Sequence, residues 1–335
     1  MSDGGLIRKG VPLGDNTHLA HDAVGRIDEF LAHPDFPASF ERAARGLVEV
    51  YRGNRILNRI LNDRGRLIFG MFAMYLDATP DENGIGLTVT RIANLCQEAD
   101  VCSRGRAKAL VMLMRWAGYL EPSAIAAGSP ANRRIRPLVP TARLLEQQRL
   151  RWENLYGGLS LLDPCGAEVL QRLDDPVFLR ILTRELGERF FAGFRVLHHA
   201  PEMSVFAERD AGILIVLSLM ISGEEGDVFP PARPVPVPIA ALAAQLHVSR
   251  AHVLKLMREA EQAGLLERIP SAQGSVRMLP QLSEGMARFF AASFSVLDHA
   301  GRSALAQYVP QDERPMHPSV SPPPGAEPER PSYSL

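Results

Sequence analysis

An internal repeat is the sequence feature that most constrains how this chain can fold. Short matches recur in the same order along its two halves, and the members of each pair are 135 to 147 residues apart. Each match is weak alone, but their common order indicates a tandem duplication of one structural unit. We therefore expect one unit at residues 17–165 and a second at residues 176–302. The matched residues are Gly53 with Gly193, Gly65 with Gly212, Ile92 with Ile239, Ser103-Arg104 with Ser249-Arg250, Gly118 with Gly264, Pro140 with Pro280, and Asp163 with Asp298.

The C-terminal unit contains the spacing of a helix–turn–helix followed by a hairpin. Apolar residues from Ile239 to Leu246 predict a short first helix, and Ser249 is a typical N-cap for a second helix. Gly264 is placed to end that second helix, and residues 268–280 predict a two-stranded hairpin. A helix–turn–helix with such a hairpin, or wing, is a winged helix. The expected fold class is therefore mainly α, with short strands in the wings.

The N-terminal unit follows the same plan less regularly. Residues 90–101 predict the first helix and turn, residues 103–117 predict the second helix, and residues 121–140 predict a longer wing. Beyond its first turn, this second helix is apolar on nearly every side, unlike its C-terminal counterpart. The pattern predicts packing of Met112, Leu113 and Trp116 against another part of the protein.

Positive charge is distributed unevenly along the chain. The net charge of −1 excludes a protein that is basic overall, so any nucleic-acid surface has to be a local patch. Residues 102–151 contain ten basic and two acidic residues, a charge of +8, whereas residues 247–288 contain six basic and four acidic residues, a charge of +2. Only three of the 37 basic residues are lysines. Arginine suits phosphate and base recognition, although a GC-rich coding sequence gives the same bias.

These patterns identify candidate DNA-binding residues on the two second helices and on the two wings. Residues on the helices would approach base edges or phosphates, and arginines on the wings would reach phosphates or the minor groove. The helix candidates are Ser103, Arg104, Arg106, Ser249, Arg250, His252 and Lys255, and the wing candidates are Arg133, Arg134, Arg136 and Arg277.

Cys102 is an additional residue immediately before the second helix of the N-terminal unit. A helix N-terminus and nearby arginines lower the pKa of a thiol, which would make Cys102 a redox switch for DNA binding. The alternative is an ordinary, partly buried cysteine. Four aromatic residues have two interpretations as well, since they are expected in the core or at an interface, with a ligand pocket as the alternative: Phe190, Phe191, Phe194 and Phe206.

The arrangement resembles the MarR family of bacterial transcriptional regulators. The resemblance is carried by Ile239–Leu266 with the wing to Pro280, and by Arg91–Leu120 with the wing to Pro140. Two features depart from the family pattern. Neither wing has the acidic-x-Arg tip that is common in the family, and family members are usually homodimers of a single unit.

The resemblance implies a pseudo-dimer within one chain. Helices at residues 39–62 and 143–162 would pack against helices at residues 177–199 and 283–300, and two recognition helices would then lie about one DNA turn apart. Because these helices differ in sequence, the implied partner is double-stranded DNA with a non-palindromic site. The resemblance leaves open a small-molecule effector, and whether the chain acts as a monomer or a higher oligomer.

Other classes of function receive no support from the sequence. No catalytic motif is recognisable, so we expect a protein that is not an enzyme. We also expect no cofactor and no metal, because three cysteines without a CxxC pair and the adjacent His198 and His199 make no ligand set. Two alternatives stay open: a plasmid-type replication initiator with tandem winged helices, and a winged-helix interaction scaffold without DNA binding.

The apolar segments of the chain indicate its cellular location, and the composition of its two ends indicates whether they are folded. No apolar run approaches the ~18 residues of a membrane-spanning helix, and the N-terminus lacks the pattern of a signal peptide. We therefore expect a cytoplasmic protein. Residues 1–16 show no periodicity and residues 310–335 contain eight prolines, so both segments are expected to be disordered.

Overall fold

The chain is mainly helical with a few short strands, which confirms the expected mainly α class. The segments that we expect to be disordered, apart from Pro310, lie outside the described residues. None of the described helices combines the length and the hydropathy needed to cross a membrane. The computed structural model describes residues 17–53, 58, 64–124, 136–224, 228–270 and 274–310.

The N-terminal unit is a set of helices with one antiparallel hairpin. Three of its helices begin at a side-chain cap, because the hydroxyls of Thr88, Ser103 and Thr141 each accept a backbone N–H from the first turn. A further helix, α7 (Pro164–Leu170), follows this unit. The elements of the unit are α1 (Thr17–Ala32), α2 (Phe36–Tyr51), α3 (Arg64–Ala78), α4 (Val89–Glu98), α5 (Arg104–Trp116), β1 (Leu120–Pro122), β2 (Leu138–Pro140) and α6 (Ala142–Leu159).

The helix predicted at residues 39–62 ends earlier than its apolar spacing suggests. α2 stops at Tyr51, and Gly53 follows with a φ of +68°, a left-handed conformation that glycine adopts without steric cost. Apart from Asn58, the rest of the predicted helix lies outside the described residues.

The C-terminal unit shares with the N-terminal unit a pair of consecutive helices, a hairpin and a long helix in that order, but it has additional short elements and a larger sheet. The helix predicted at residues 177–199 is interrupted, because Gly193 has a φ of +98° after the end of α8. A short strand that the sequence pattern does not predict, β3, joins the hairpin in a sheet of order β3–β5–β4. The elements are α8 (Pro176–Phe191), α9 (Val196–His199), a 3-10 turn (Pro201–Met203), α10 (Ser204–Ala207), α11 (Gly212–Met220), β3 (Val235–Pro236), α12 (Ile239–Gln245), α13 (Arg250–Gln262), β4 (Leu266–Ile269), β5 (Ser275–Met278) and α14 (Pro280–Gln307).

Matched positions in the two units share unusual backbone geometry. Gly118 and Gly264 follow α5 and α13 with φ values of +74° and +69°. The turns before these two helices each contain a non-glycine residue with positive φ, Asp100 at 52° and His247 at 53°. Such residues are uncommon, so their recurrence at equivalent places indicates that the two turns have the same construction.

One hydrophobic core runs through both units. Phe40 of α2 packs on Phe290 of α14 with ring centroids 4.3 Å apart, and Phe72 of α3 stacks on Phe191 of α8 at 5.2 Å. The broadest helix contacts are nevertheless within a unit, since α2 packs mainly on α6, and α8 packs mainly on α14. Contacts between the units come chiefly from α1 against α14 and from α3 against α8.

Asp163 and Asp298, which the repeat matches to each other, lie side by side at the junction of the units. Arg26 reaches both carboxylates, with Nη2 2.5 Å from Asp163 Oδ2 and Nε 3.0 Å from Asp298 Oδ2. Arg302 also reaches both, at 2.6 Å and 3.0 Å. Two largely buried carboxylates are therefore balanced by two guanidinium groups, the condition under which buried charges are tolerated.

Candidate nucleic-acid interface

The N-terminus of α5 presents exposed basic side chains. The Ser103 hydroxyl accepts the backbone N–H of Arg106 at 3.3 Å, which fixes where the helix begins. Arg104 and Arg106 are both exposed, and neither forms an ion pair with a carboxylate of the described residues. Lys108 extends this exposed basic surface by one turn. A helix N-terminus surrounded by such cations attracts phosphate groups.

The outer face of α5 also carries two large apolar side chains. Met112 is 72% exposed and Trp116 is 78% exposed, one turn apart and beside the exposed Arg115. The expectation that they pack against another part of the protein is wrong, because no described element covers them, whereas Leu113 is partly buried against the core. The apolar side chains of α5 therefore lie both on its buried side and on part of its exposed surface.

The structure describes the two predicted wings to different extents. In the N-terminal wing, Arg136 is exposed just before β2, whereas Arg133 and Arg134 lie outside the described residues. In the C-terminal wing, Arg277 of β5 faces Glu267 of β4, with Nη1 2.6 Å from Oε2. The C-terminal wing arginine is thus already paired within the hairpin.

The predicted residues at the N-terminus of α13 occupy different environments. The Ser249 hydroxyl accepts the backbone N–H of His252 at 3.0 Å, the same cap that begins α5. Arg250 is exposed. The His252 ring is partly buried, and its Nε2 lies 2.8 Å from the carbonyl oxygen of Asp210. His252 is therefore held against the segment before α11, while Arg250 is available to a partner.

Acidic residues neutralise part of the positive charge of α13. Glu259 pairs with Arg209 at 3.0 Å and lies 3.7 Å from the ammonium group of Lys255. When the two helices are aligned at their serine caps, the position of Glu259 corresponds to Leu113 in α5. α5 contains no acidic residue at all, so its charge is not offset in this way.

A cavity of about 330 Å³ lies between the two units. Its walls are mainly apolar side chains from α2, α3, α6, α8, α11 and α14, and Phe190 and Phe194 are among them. Arginines supply most of its polar groups. One of these, Arg151, has a buried Nε without a hydrogen-bond partner among the described atoms.

Arg209 connects the cavity to α13. Its side chain lines the cavity, and its Nε lies 3.0 Å from Glu259 Oε2. The segment around it is tightly folded, since Ala211 has a φ of +54° and a Cβ added to Gly212 would meet the Phe206 carbonyl oxygen at 2.1 Å. Arg209 therefore contacts both the cavity and α13.

Among the described residues, Asp163, Cys165 and Asp298 place three potential metal ligands within 4.8 Å of one another. Both carboxylates are ion-paired with Arg26 and Arg302. The thiol of Cys165 lies 3.7 Å from the Asp298 carbonyl oxygen. A cation at this place would have to displace two guanidinium groups, so the cluster fits a structural ion-pair network.

Cys102 is half-buried immediately before the capping Ser103. Its backbone N–H donates to the carbonyl oxygen of Cys96 at 3.4 Å, so a second cysteine, buried in α4, is its neighbour. The sequence pattern does not indicate this neighbour, because the turn that brings the two residues together depends on the positive φ of Asp100.

Comparison of the chain with protein-family models, with curated proteins and with solved structures found no match in any of the three. The resemblance to MarR regulators therefore rests on the residues of the chain itself.

Proposed function

We propose that this chain is a transcriptional regulator that binds double-stranded DNA in a sequence-specific way. It would do so with two MarR-like winged helices arranged as a pseudo-dimer in one chain. One observation carries the proposal: Arg104 and Arg106 are exposed and without ion pairs at the capped N-terminus of α5, and an antiparallel hairpin follows. Helices of this kind insert their N-terminal residues into the major groove while the wing contacts the backbone.

The repeated geometry supports two equivalent units. Ser103 and Ser249 cap their helices in the same way, although they are matched only by a weak sequence repeat. Asp163 and Asp298 are matched by the same repeat, and they meet at the junction of the units. Equivalent residues meet in this way near the axis of a two-fold arrangement.

The two units contribute unequally to DNA affinity in this proposal. The exposed cations of α5 have no acidic neighbour within their helix, whereas Glu259 offsets the charge of α13. Phosphate contacts supply most of the salt-dependent affinity for DNA. Replacement of Arg104 and Arg106 therefore weakens DNA binding more than replacement of Arg250 does.

Selection of bound duplexes from a random-sequence pool tests the proposal. We expect enrichment of one non-palindromic sequence, because α5 and α13 carry different side chains. The double variant Arg104→Gln/Arg106→Gln should lose this enrichment. A control, Arg45→Gln/Arg172→Gln, removes the same charge outside α5, α13 and the wings, and should keep it. Absence of any enriched sequence with the wild-type chain would contradict the proposal.

The cavity supports a second part of the proposal, an apolar effector that carries a carboxylate. The apolar walls suit a hydrophobic body, and Arg151 and Arg209 at the cavity wall carry guanidinium groups that suit a carboxylate. A carboxylate near Arg209 would also compete with Glu259 for its guanidinium group. Occupation of the cavity would then change how α13 is held.

Calorimetric titration with decanoate, and with decanol as the uncharged control, tests this assignment. We expect decanoate to bind more tightly than decanol, and Arg151→Gln to weaken decanoate binding about tenfold, the effect of losing a hydrogen bond to a charged group. Equal decanoate affinities for the wild-type chain and the variant would exclude Arg151 from the site.

One observation favours a different function, a protein-interaction scaffold without DNA binding. Met112 and Trp116 are exposed side by side, and large apolar residues of this kind are enriched in protein interfaces. The selection experiment separates the two functions. A scaffold yields no enriched DNA sequence, whereas the regulator yields one that depends on Arg104 and Arg106.

A further inference from the structure

Two of the three cysteines lie next to each other at the turn that precedes α5. The carbonyl oxygen of Cys96 accepts the N–H of Val101 at 2.9 Å and the N–H of Cys102 at 3.4 Å. With standard bond lengths, the second contact places the Cα atoms of Cys96 and Cys102 no more than about 7 Å apart. Disulfides span Cα separations of about 4.4 to 6.8 Å, so the backbone already holds these residues close to bonding geometry.

The two thiols differ in access to solvent. Cys96 is fully buried in α4, whereas Cys102 is half-buried in the turn. Burial, together with a hydrogen bond and electrostatic contact with the Cys102 thiol, raises the pKa of the Cys96 thiol to about 12. Cys96 therefore stays protonated near neutral pH, and an oxidant dissolved in water meets Cys102 first.

We infer that Cys96 and Cys102 form a peroxide-sensitive dithiol that closes to an intramolecular disulfide. In the first step, the Cys102 sulfur attacks a peroxide oxygen, the O–O bond breaks, and a sulfenic acid and water (or an alcohol) form. In the second step, the Cys96 sulfur attacks the Cys102 sulfur, the S–O bond breaks, and the hydroxyl group leaves as water with the Cys96 proton. An external dithiol reverses the reaction by exchange.

The third cysteine provides an internal control. Cys165 is buried on α7, and its thiol contacts the Asp298 carbonyl oxygen at 3.7 Å. Burial and the negative charge of Asp298 raise the pKa of the Cys165 thiol to about 12. Cys165 thus resembles Cys96 in burial and pKa but does not share its cysteine neighbour, so it should stay reduced under the same treatment.

Treatment of the purified full-length chain with hydrogen peroxide, followed by alkylation in denaturant, where all remaining thiols are accessible, and by intact-mass measurement, tests the inference. We expect the number of alkylated thiols to fall from three to one, with the loss of two hydrogen atoms, and dithiothreitol to restore all three. Peptide mapping should join the Cys96 and Cys102 peptides. Three alkylated thiols after oxidation, or a disulfide between two chains, would overturn the inference.

Variants separate the two chemical steps. In Cys102→Ser, peroxide should leave both other thiols reduced, and in Cys165→Ser the count should fall from two to none. In Cys96→Ala, the Cys102 sulfenic acid should persist and react with dimedone, whereas the wild-type chain should give little adduct. Equal dimedone labelling of these two proteins would contradict a resolving role for Cys96. The Cys102 side chain is only half-buried, so Cys102→Ser should fold even if Cys96→Ala, which changes a fully buried residue, does not. Cys102→Ser then tests the inference alone.

Discussion

The replacement Asp163→Asn tests the ion-pair network that joins the two units. The Asp163 carboxylate is largely buried and accepts hydrogen bonds from the Cys165 N–H at 2.8 Å, from Arg26 at 2.5 Å and from Arg302 at 2.6 Å. Asparagine keeps an oxygen for the Cys165 N–H but removes one of the two carboxylates, so that Arg302 keeps only Asp298, while Arg26 keeps Asp298 and the exposed Glu29. Loss of one partner of a buried pair costs about 3 to 5 kcal/mol.

The expected cost is smaller here because the two arginines are partly exposed, with Arg26 at 22% and Arg302 at 55%. We therefore expect Asp163→Asn to lower the free energy of unfolding by about 2 kcal/mol, which corresponds to about 3 °C in Tm for a chain of this length. Urea unfolding, monitored by circular dichroism, measures this change in the free energy of unfolding. The control Asp77→Asn breaks the more exposed pair with Arg180, and should cost less than about 1 kcal/mol.

The pH dependence gives the same prediction a second readout. Burial acts to raise the pKa of Asp163, but the Cys165 N–H, Arg26 and Arg302 outweigh it, so the pKa of Asp163 is lowered. The folded state therefore favours the ionised carboxylate. Its stabilising contribution is present above the unfolded pKa, about 4, and is lost as pH falls through the lower folded pKa. The wild type and Asp163→Asn should then converge in acid; a constant difference, or a cost equal to that of Asp77→Asn, would refute the reasoning.

Two further predictions concern packing and the exposed face of α5. Gly187→Ala adds a Cβ 2.2 Å from the Tyr75 ring, so urea unfolding should show a loss of about 1 to 3 kcal/mol. Gly25→Ala in α1 meets no atom within 4 Å and should gain up to about 1 kcal/mol; equal effects would contradict the clash. In Trp152→Phe, only the exposed Trp116 emits, so bound DNA should shift or quench its fluorescence, and an unchanged spectrum at saturation would place Trp116 outside the interface.

Local signals in the sequence locate the ends of α5 and α13. α5 and α13 begin directly after Ser103 and Ser249, and glycines with positive φ follow their ends, because caps and left-handed glycines act within a few residues. The strand β3 has only two residues, which is too short for any alternating pattern to show. Its pairing with β5 depends on the folded sheet.

Contacts between distant residues could not be predicted from the sequence. Arg26 binds Asp163 and Asp298, which are 137 and 272 positions away, and no periodicity encodes such a contact. The sequence could not predict the exposure of Trp116 for a related reason. An apolar side chain is buried only where a second element covers it, and none of the described elements does so.

In the proposed function, the N-terminal end of α5 binds DNA. Fluorescence anisotropy of the selected duplex at several salt concentrations tests it most directly. The logarithm of the binding constant should fall linearly with the logarithm of the salt concentration. The slope should become less steep by about 1.8 in Arg104→Gln/Arg106→Gln, if each arginine neutralises one phosphate at about 0.9 per contact. An unchanged slope and affinity in this variant would contradict the claim.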